Sequence, residues 1–175
     1  MYVPQPGDPR SWAGGPGATL PDWHELLAAF CGHIGEEPDA HPVTGWARAL
    51  AELHLARRES PLRTAEIDSR RAELIVRIDD WVGLHIPGPQ PQRLPTPPAP
   101  QAPPARRPSS LGSYVDAMAA AQVRAVALLR AADDVADERV RAAWFALAEL
   151  ADDWSELTER SDTVAHRTGR SRAVG

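Results

Sequence analysis

Three polar side chains stand where the apolar period of this chain calls for hydrophobic ones: Arg57, Arg71 and Gln122. Between Ile67 and Val82 the sequence spells an amphipathic helix, with Ile67, Leu74, Ile78, Trp81 and Val82 sharing one face at ~100° per residue. Arg71 falls at the centre of that face, with Asp68 and Asp79 on its flank. A guanidinium seldom lies against a core without a partner, because its desolvation has to be offset by pairing. In the preceding helix Arg57 continues the apolar stripe and His54 lies on its edge. His54 and Arg57 sit on adjacent turns, as do Asp68 and Arg71, so a hairpin of the two helices brings all four together.

Such a set has two chemical readings. In the first it is a structural network, with Arg71 paired to Asp68 and the other groups satisfying one another or backbone carbonyls. The long arginine stems can equally snorkel to the rim. In the second it is a pocket for an anionic ligand, or a weak hydrolase built around one, since two arginines and a histidine outnumber the nearby acids. Ion pairs of this kind are more often structural than functional, which favours the first reading. The candidate ligand-binding residues are therefore His54, Arg57, Asp68, Arg71 and Gln122, with no catalytic residue assigned.

Other constellations do less. Glu149, Asp152, Asp153, Glu156 and Glu159 resemble the carboxylate steps of helical nucleotide hydrolases, but a helical wheel puts them opposite Val140 and Leu147, on a solvated face. The Glu-x-x-His spacing of a di-iron site is absent, and His24-Glu25 lacks the second histidine of a zinc-protease helix. Cys31 and His33 are two lone ligands, and Cys31 is expected to pack in the core as a small hydrophobe. No glycine-rich phosphate loop or nucleophile elbow occurs, and nothing in the residues calls for a metal or cofactor.

The elements that must position these groups are helices. Asp22 and Glu25 form a capping box ahead of Trp23, Leu26, Leu27 and Phe30, and Gly32 and Gly35 end that short helix. Thr44 is expected to cap a second helix carrying Trp46, Ala49, Leu50 and Leu53; Ser60 and Pro61 punctuate, and Thr64 starts a third that runs to about Leu84. Ser109 or Ser110 opens a fourth, whose Leu111, Val115, Met118, Gln122, Ala125 and Leu129 form a heptad seam. Asp133 or Asp134 caps a fifth, with Val140, Ala143, Trp144, Leu147, Leu150, Ala151, Trp154 and Leu157 on one broad face and Phe145 turned away from it. No strand pattern appears. The expected fold is all-α: an antiparallel four-helix bundle plus a short N-terminal helix, with a long Pro-rich loop between the third and fourth helices of the chain.

Composition sets the boundaries. Residues 1–20 are rich in Gly and Pro and read as a disordered leader; 21–160 form one helical domain, and 161–175 a flexible tail. Ten of the 18 prolines fall in the spacer 87–108, which contains overlapping P-x-x-P steps and belongs inside the domain, since neither half alone can bury a stable core. All 19 basic residues are arginine, a bias that reads as genomic, so the weight of Arg71 rests on position. A net charge of −5 argues against a general nucleic-acid binder. A single cysteine rules out an intrachain disulfide, and no apolar run approaches the ~18 residues of a membrane span; a cytoplasmic location is the default. The expected partners are a second copy of the chain or another protein, not nucleic acid or membrane.

A longer pattern joins these pieces: His41-Pro42; Leu50-Ala51-Glu52-Leu53-His54 with Arg57-Arg58; Ile67-Asp68, Arg71, Leu74, Ile78-Asp79 and Trp81-Val82; Ser110-Leu111-Gly112; Val115-Asp116-x-Met118-Ala119; and Ala143-Trp144 with Leu147-Ala148-Glu149-Leu150-Ala151. It resembles the actinobacterial branch of domain of unknown function 4254, over roughly His41 to Leu157. The resemblance implies a small, soluble, all-helical bacterial protein and brings no established activity, substrate or catalytic residue. Relatives tend to carry a histidine and a threonine ahead of the Ser-Leu-Gly turn, where this chain has Arg107, Pro108 and Ser109. The functional expectation is a non-catalytic module that self-associates or binds another protein, with an anionic-ligand binder or weak hydrolase as the alternative.

Overall fold

The computed structural model describes residues 19–86, 108–132 and 137–172; most of the expected leader and spacer, and the expected caps Asp133 and Asp134, lie outside the described residues. Within them the chain is all-helical: five α-helices, one 3-10 turn and no strand. Helix α1 (Trp23–Phe30) starts from the expected capping box. The Asp22 carboxylate accepts the Glu25 amide at 2.8 Å, and the Glu25 carboxylate accepts the Asp22 amide at 2.9 Å. Gly32 and Gly35, at φ 77° and 101°, turn the chain out of it. A Cβ on Gly35 would stand 2.9 Å from the Thr44 carbonyl oxygen, so this loop lies directly on the next helix. Arg48 holds it there, donating to Glu52 at 3.1 Å and to the Gly32 carbonyl at 3.4 Å while pairing with Glu36.

Helix α2 (Pro42–Glu59) is capped three residues earlier than expected. His41, not Thr44, is the cap: its Nδ1 accepts the Val43 amide at 3.2 Å, and Pro42 occupies the first helical position, where no amide donor is needed. Thr44 is buried in the first turn and its hydroxyl donates to the His41 carbonyl at 2.6 Å. A 3-10 turn (Pro61–Arg63) leads into α3 (Thr64–His85). Helix α4 (Leu111–Ala131) opens on Ser110, whose hydroxyl accepts the Ser113 amide at 3.2 Å. Helix α5 (Glu138–Arg172) begins beside Asp137, whose carboxylate accepts the Arg139 amide at 2.8 Å. It continues to Arg172, past Arg160 where the apolar period fades, with pairs such as Arg160–Glu156 (2.8 Å) along its outer surface.

Helix α4 packs against each of the other four, while α5 touches only α4 and α1 among the described elements. Two rows of α4 are buried for this reason: Leu111, Val115, Met118, Gln122 and Ala125, and beside them Gly112, Asp116, Ala119 and Val123. The core that they complete includes Leu26, Phe30, Val43, Leu50, Ile78, Trp81, Leu147 and Trp154. Backbones come close at Gly112, where a Cβ would fall 2.4 Å from the Ile75 carbonyl oxygen of α3. Asp79 of α3 reaches across the same crossing and accepts the Gly112 amide at 2.7 Å, adding a cap to α4 from a neighbouring helix. At the far side Trp154 donates its indole N–H to the Pro21 carbonyl at 3.0 Å.

The wheel of α5 is right in its centre and wrong at its edge. Val140, Ala143, Leu147, Ala151 and Trp154 are buried. Trp144 is 39% exposed and Phe145 is 67% exposed. The spacing places Trp144 on the core face, but it lies roughly 60° from Leu147 around the helix and stays partly exposed.

Candidate functional site

Helices α2, α3 and α4 bring five side chains into one hydrogen-bonded chain. His54 and Arg57 project from α2, Asp68 and Arg71 from α3, and Asp116 from the second buried row of α4. His54 Nε2 donates to Asp116 Oδ1 at 2.9 Å. Arg71 grips the same carboxylate with two nitrogens, Nε to Oδ1 at 3.0 Å and Nη2 to Oδ2 at 2.7 Å. Its third contact, from Nη1 to Asp68 Oδ1 at 2.9 Å, joins it to Asp68, which also pairs with Arg57. The fork geometry of the Arg71–Asp116 contact is the strong, orientation-specific form of an ion pair.

Burial grades along this chain. The side chains of His54, Asp116 and Arg71 are 10%, 13% and 19% exposed, while Arg57 and Asp68 are each 41% exposed. The inner end is thus sealed between helices and the outer end meets solvent. Burial pushes the Asp116 carboxyl up, but the hydrogen bonds and proximity of His54 and Arg71 more than offset it and hold the group below the usual carboxylate range. The Asp116 carboxylate in turn, with Asp68 behind it and against the effect of burial, raises Arg71 above the ordinary guanidinium value. Two guanidiniums therefore face two carboxylates, and the excess of positive charge expected from the sequence is balanced within the cluster.

Four of the five residues singled out from the sequence meet here: His54, Arg57, Asp68 and Arg71. Gln122 does not. It is buried two turns further along α4, where its Nε2 donates to Cys31 Sγ at 3.4 Å. Cys31 itself is exposed at the end of α1, not packed in the core, because Gly32 and the following turn carry the chain away there. Asp116 is the residue that sequence reasoning missed. Its signal is the row Gly112, Asp116, Ala119, Val123, a 4-3-4 spacing one residue behind the main seam, which marks α4 as buried on two sides.

Elsewhere, no group of three or more histidine, cysteine or carboxylate side chains among the described residues could hold a metal ion. On α5, Glu149, Asp152, Glu156 and Glu159 are exposed and Asp153 is half-buried. No helix among the described residues is long and apolar enough to cross a membrane. Compared with protein-family models, with curated proteins and with solved structures, the chain matches none.

Proposed function

We propose that this protein is a non-catalytic helical module that associates with a second copy of itself through the outer face of α5. The observation that carries the reading is Phe145, 67% exposed, with Trp144 beside it, on a helix that α2 and α3 leave uncovered. Arg141, Phe145 and Glu149, all exposed, form one i±4 row along that face. In an isologous pair with its two-fold axis at Phe145, the rows run in opposite directions, and each Arg141 meets Glu149 of the other copy. Ala142 and Ala148 let the helices approach. Arg141 already pairs with Glu138 in the same helix, an exposed contact that contributes little and is readily shared. Glu138 and Asp152 bring like charges together at the ends of the contact, so affinity is modest, on the order of micromolar.

Light scattering from low micromolar to millimolar chain tests this. The expected result is a mass that rises to a dimer, is lowered to a monomer by Phe145→Arg, falls with Arg141→Glu and recovers in Arg141→Glu/Glu149→Arg. A monomer at every concentration overturns it. The scaffold we take to be a helical bundle built around α4, which packs on α1, α2, α3 and α5, and not a closed ring of four, because among the described residues α5 reaches neither α2 nor α3.

A second reading makes the polar cluster the seat of a small anionic ligand. The convergence of His54, Arg57, Asp68 and Arg71, with Arg57 open to solvent, favours it; the balancing charge of Asp116 counts against it. Inorganic phosphate titrated against the arginine and histidine NMR signals separates the two. Shifts in the wild type that vanish in Arg57→Met support a ligand seat, and unmoved signals remove it.

A further inference from the structure

His41 holds three parts of the molecule at once. Its Nδ1 accepts the Val43 amide at 3.2 Å and so caps α2, while its Nε2 donates to the Thr19 carbonyl at 3.1 Å. The ring also meets Trp81 of α3 edge-on, with centroids 4.7 Å apart. The same indole stacks with His85 at 4.7 Å, and His85 donates from Nδ1 to the Trp81 carbonyl at 2.8 Å. The extended segment from Thr19 to Asp22 is therefore fastened twice by ring N–H groups, by His41 at Thr19 and by Trp154 at Pro21.

Only the neutral imidazole can serve both contacts. It has one donor and one acceptor nitrogen, and here both are used; the cation has two donors and no acceptor. A proton on Nδ1 would point at the Val43 N–H and place a positive charge on the amino end of α2, where the exposed amide groups already repel it. We propose that His41 is an acid-sensitive latch, whose protonation uncaps α2, turns the ring away and releases Thr19 and the segment that leads into α1.

The surroundings set the direction of the response. Burial of the ring is the largest influence and lowers its proton affinity; the Thr19 carbonyl and Glu25 of α1 oppose this, and His85 of α3 adds to it. A histidine whose folded value is depressed stabilises the fold fully above its unfolded value of ~6.5. That contribution is lost as pH falls below this point and is gone once the folded value has been passed. The latch is independent of the self-association proposed above, since it lies on α2 and α3 and not on the α5 face.

Amide hydrogen exchange at Val43, corrected for intrinsic rate and followed with the His41 imidazole NMR signal, tests the latch. Protection of Val43 should fall at least tenfold as His41 titrates, and the His41 midpoint should lie below that of an exposed histidine. In His41→Asn, where the amide side chain caps without titrating, protection should stay level across the same range. Flat protection in the wild type through the His41 titration overturns the proposal. So does an equal loss in His41→Asn, which would place the acid response elsewhere.

Discussion

Asp116 accepts from His54 and from two nitrogens of Arg71 while only 13% exposed, so its removal strands a guanidinium that is itself largely shielded. Asp116→Ala should cost about 3 kcal/mol of stability, measured by urea unfolding. Replacing the pair together by Arg71→Met/Asp116→Leu should cost less than Asp116→Leu alone, because no unpaired charge is left inside. Acid gives a separate check. Asp116 is held below the ordinary carboxylate range, so its stabilisation is present above the unfolded value of ~3.9 and is lost as pH falls through the lower folded value. Stability measured from pH 5 downward should therefore fall less steeply in Asp116→Asn than in the wild type. The sequence made the α2 and α3 members of this cluster legible, since Arg57 and Arg71 break an apolar stripe. Asp116 stayed hidden because it breaks a second stripe, whose other members, Gly112 and Ala119, are too small to look like core.

At the scale of the helices, the α3–α4 crossing leaves no room for a side chain at Gly112. A methyl group on Gly112 would meet backbone, the Ile75 carbonyl oxygen, and backbone cannot swing aside as a side chain does. Gly112→Ala should destabilise the protein by about 2 kcal/mol, read as a lowered denaturation midpoint, although alanine is the better helix former. Helix starts were legible where the usual cap residues act, at Asp22 and Ser110. They were not at α2, where a histidine takes the capping role and the threonine three residues on turns its hydroxyl back to the His41 carbonyl. The end of α5 was misplaced for a different reason. Apolar period marks the stretch of sequence suited to packing, and the helical backbone of α5 continues beyond the end of that period to Arg172.

Across the whole molecule, Trp154 ties the last helix to the segment before the first. Its indole is fully buried and its N–H meets the Pro21 carbonyl. Trp154→Phe should cost about 1 kcal/mol for the lost hydrogen bond, and Trp154→Ala about 3–5 kcal/mol for the cavity. In both variants amide protection in α1 and α5 should drop together, because the two ends share this contact. The position of α4 has a further consequence for how the chain is made. Among the described helices it is fourth in order of synthesis yet borders each of the others, so α1, α2 and α3 leave the ribosome with an apolar flank still bare. Nascent chains stalled before residue 111 should remain open to proteases and chaperones, and shelter should arrive only once the 111–131 stretch has cleared the exit tunnel.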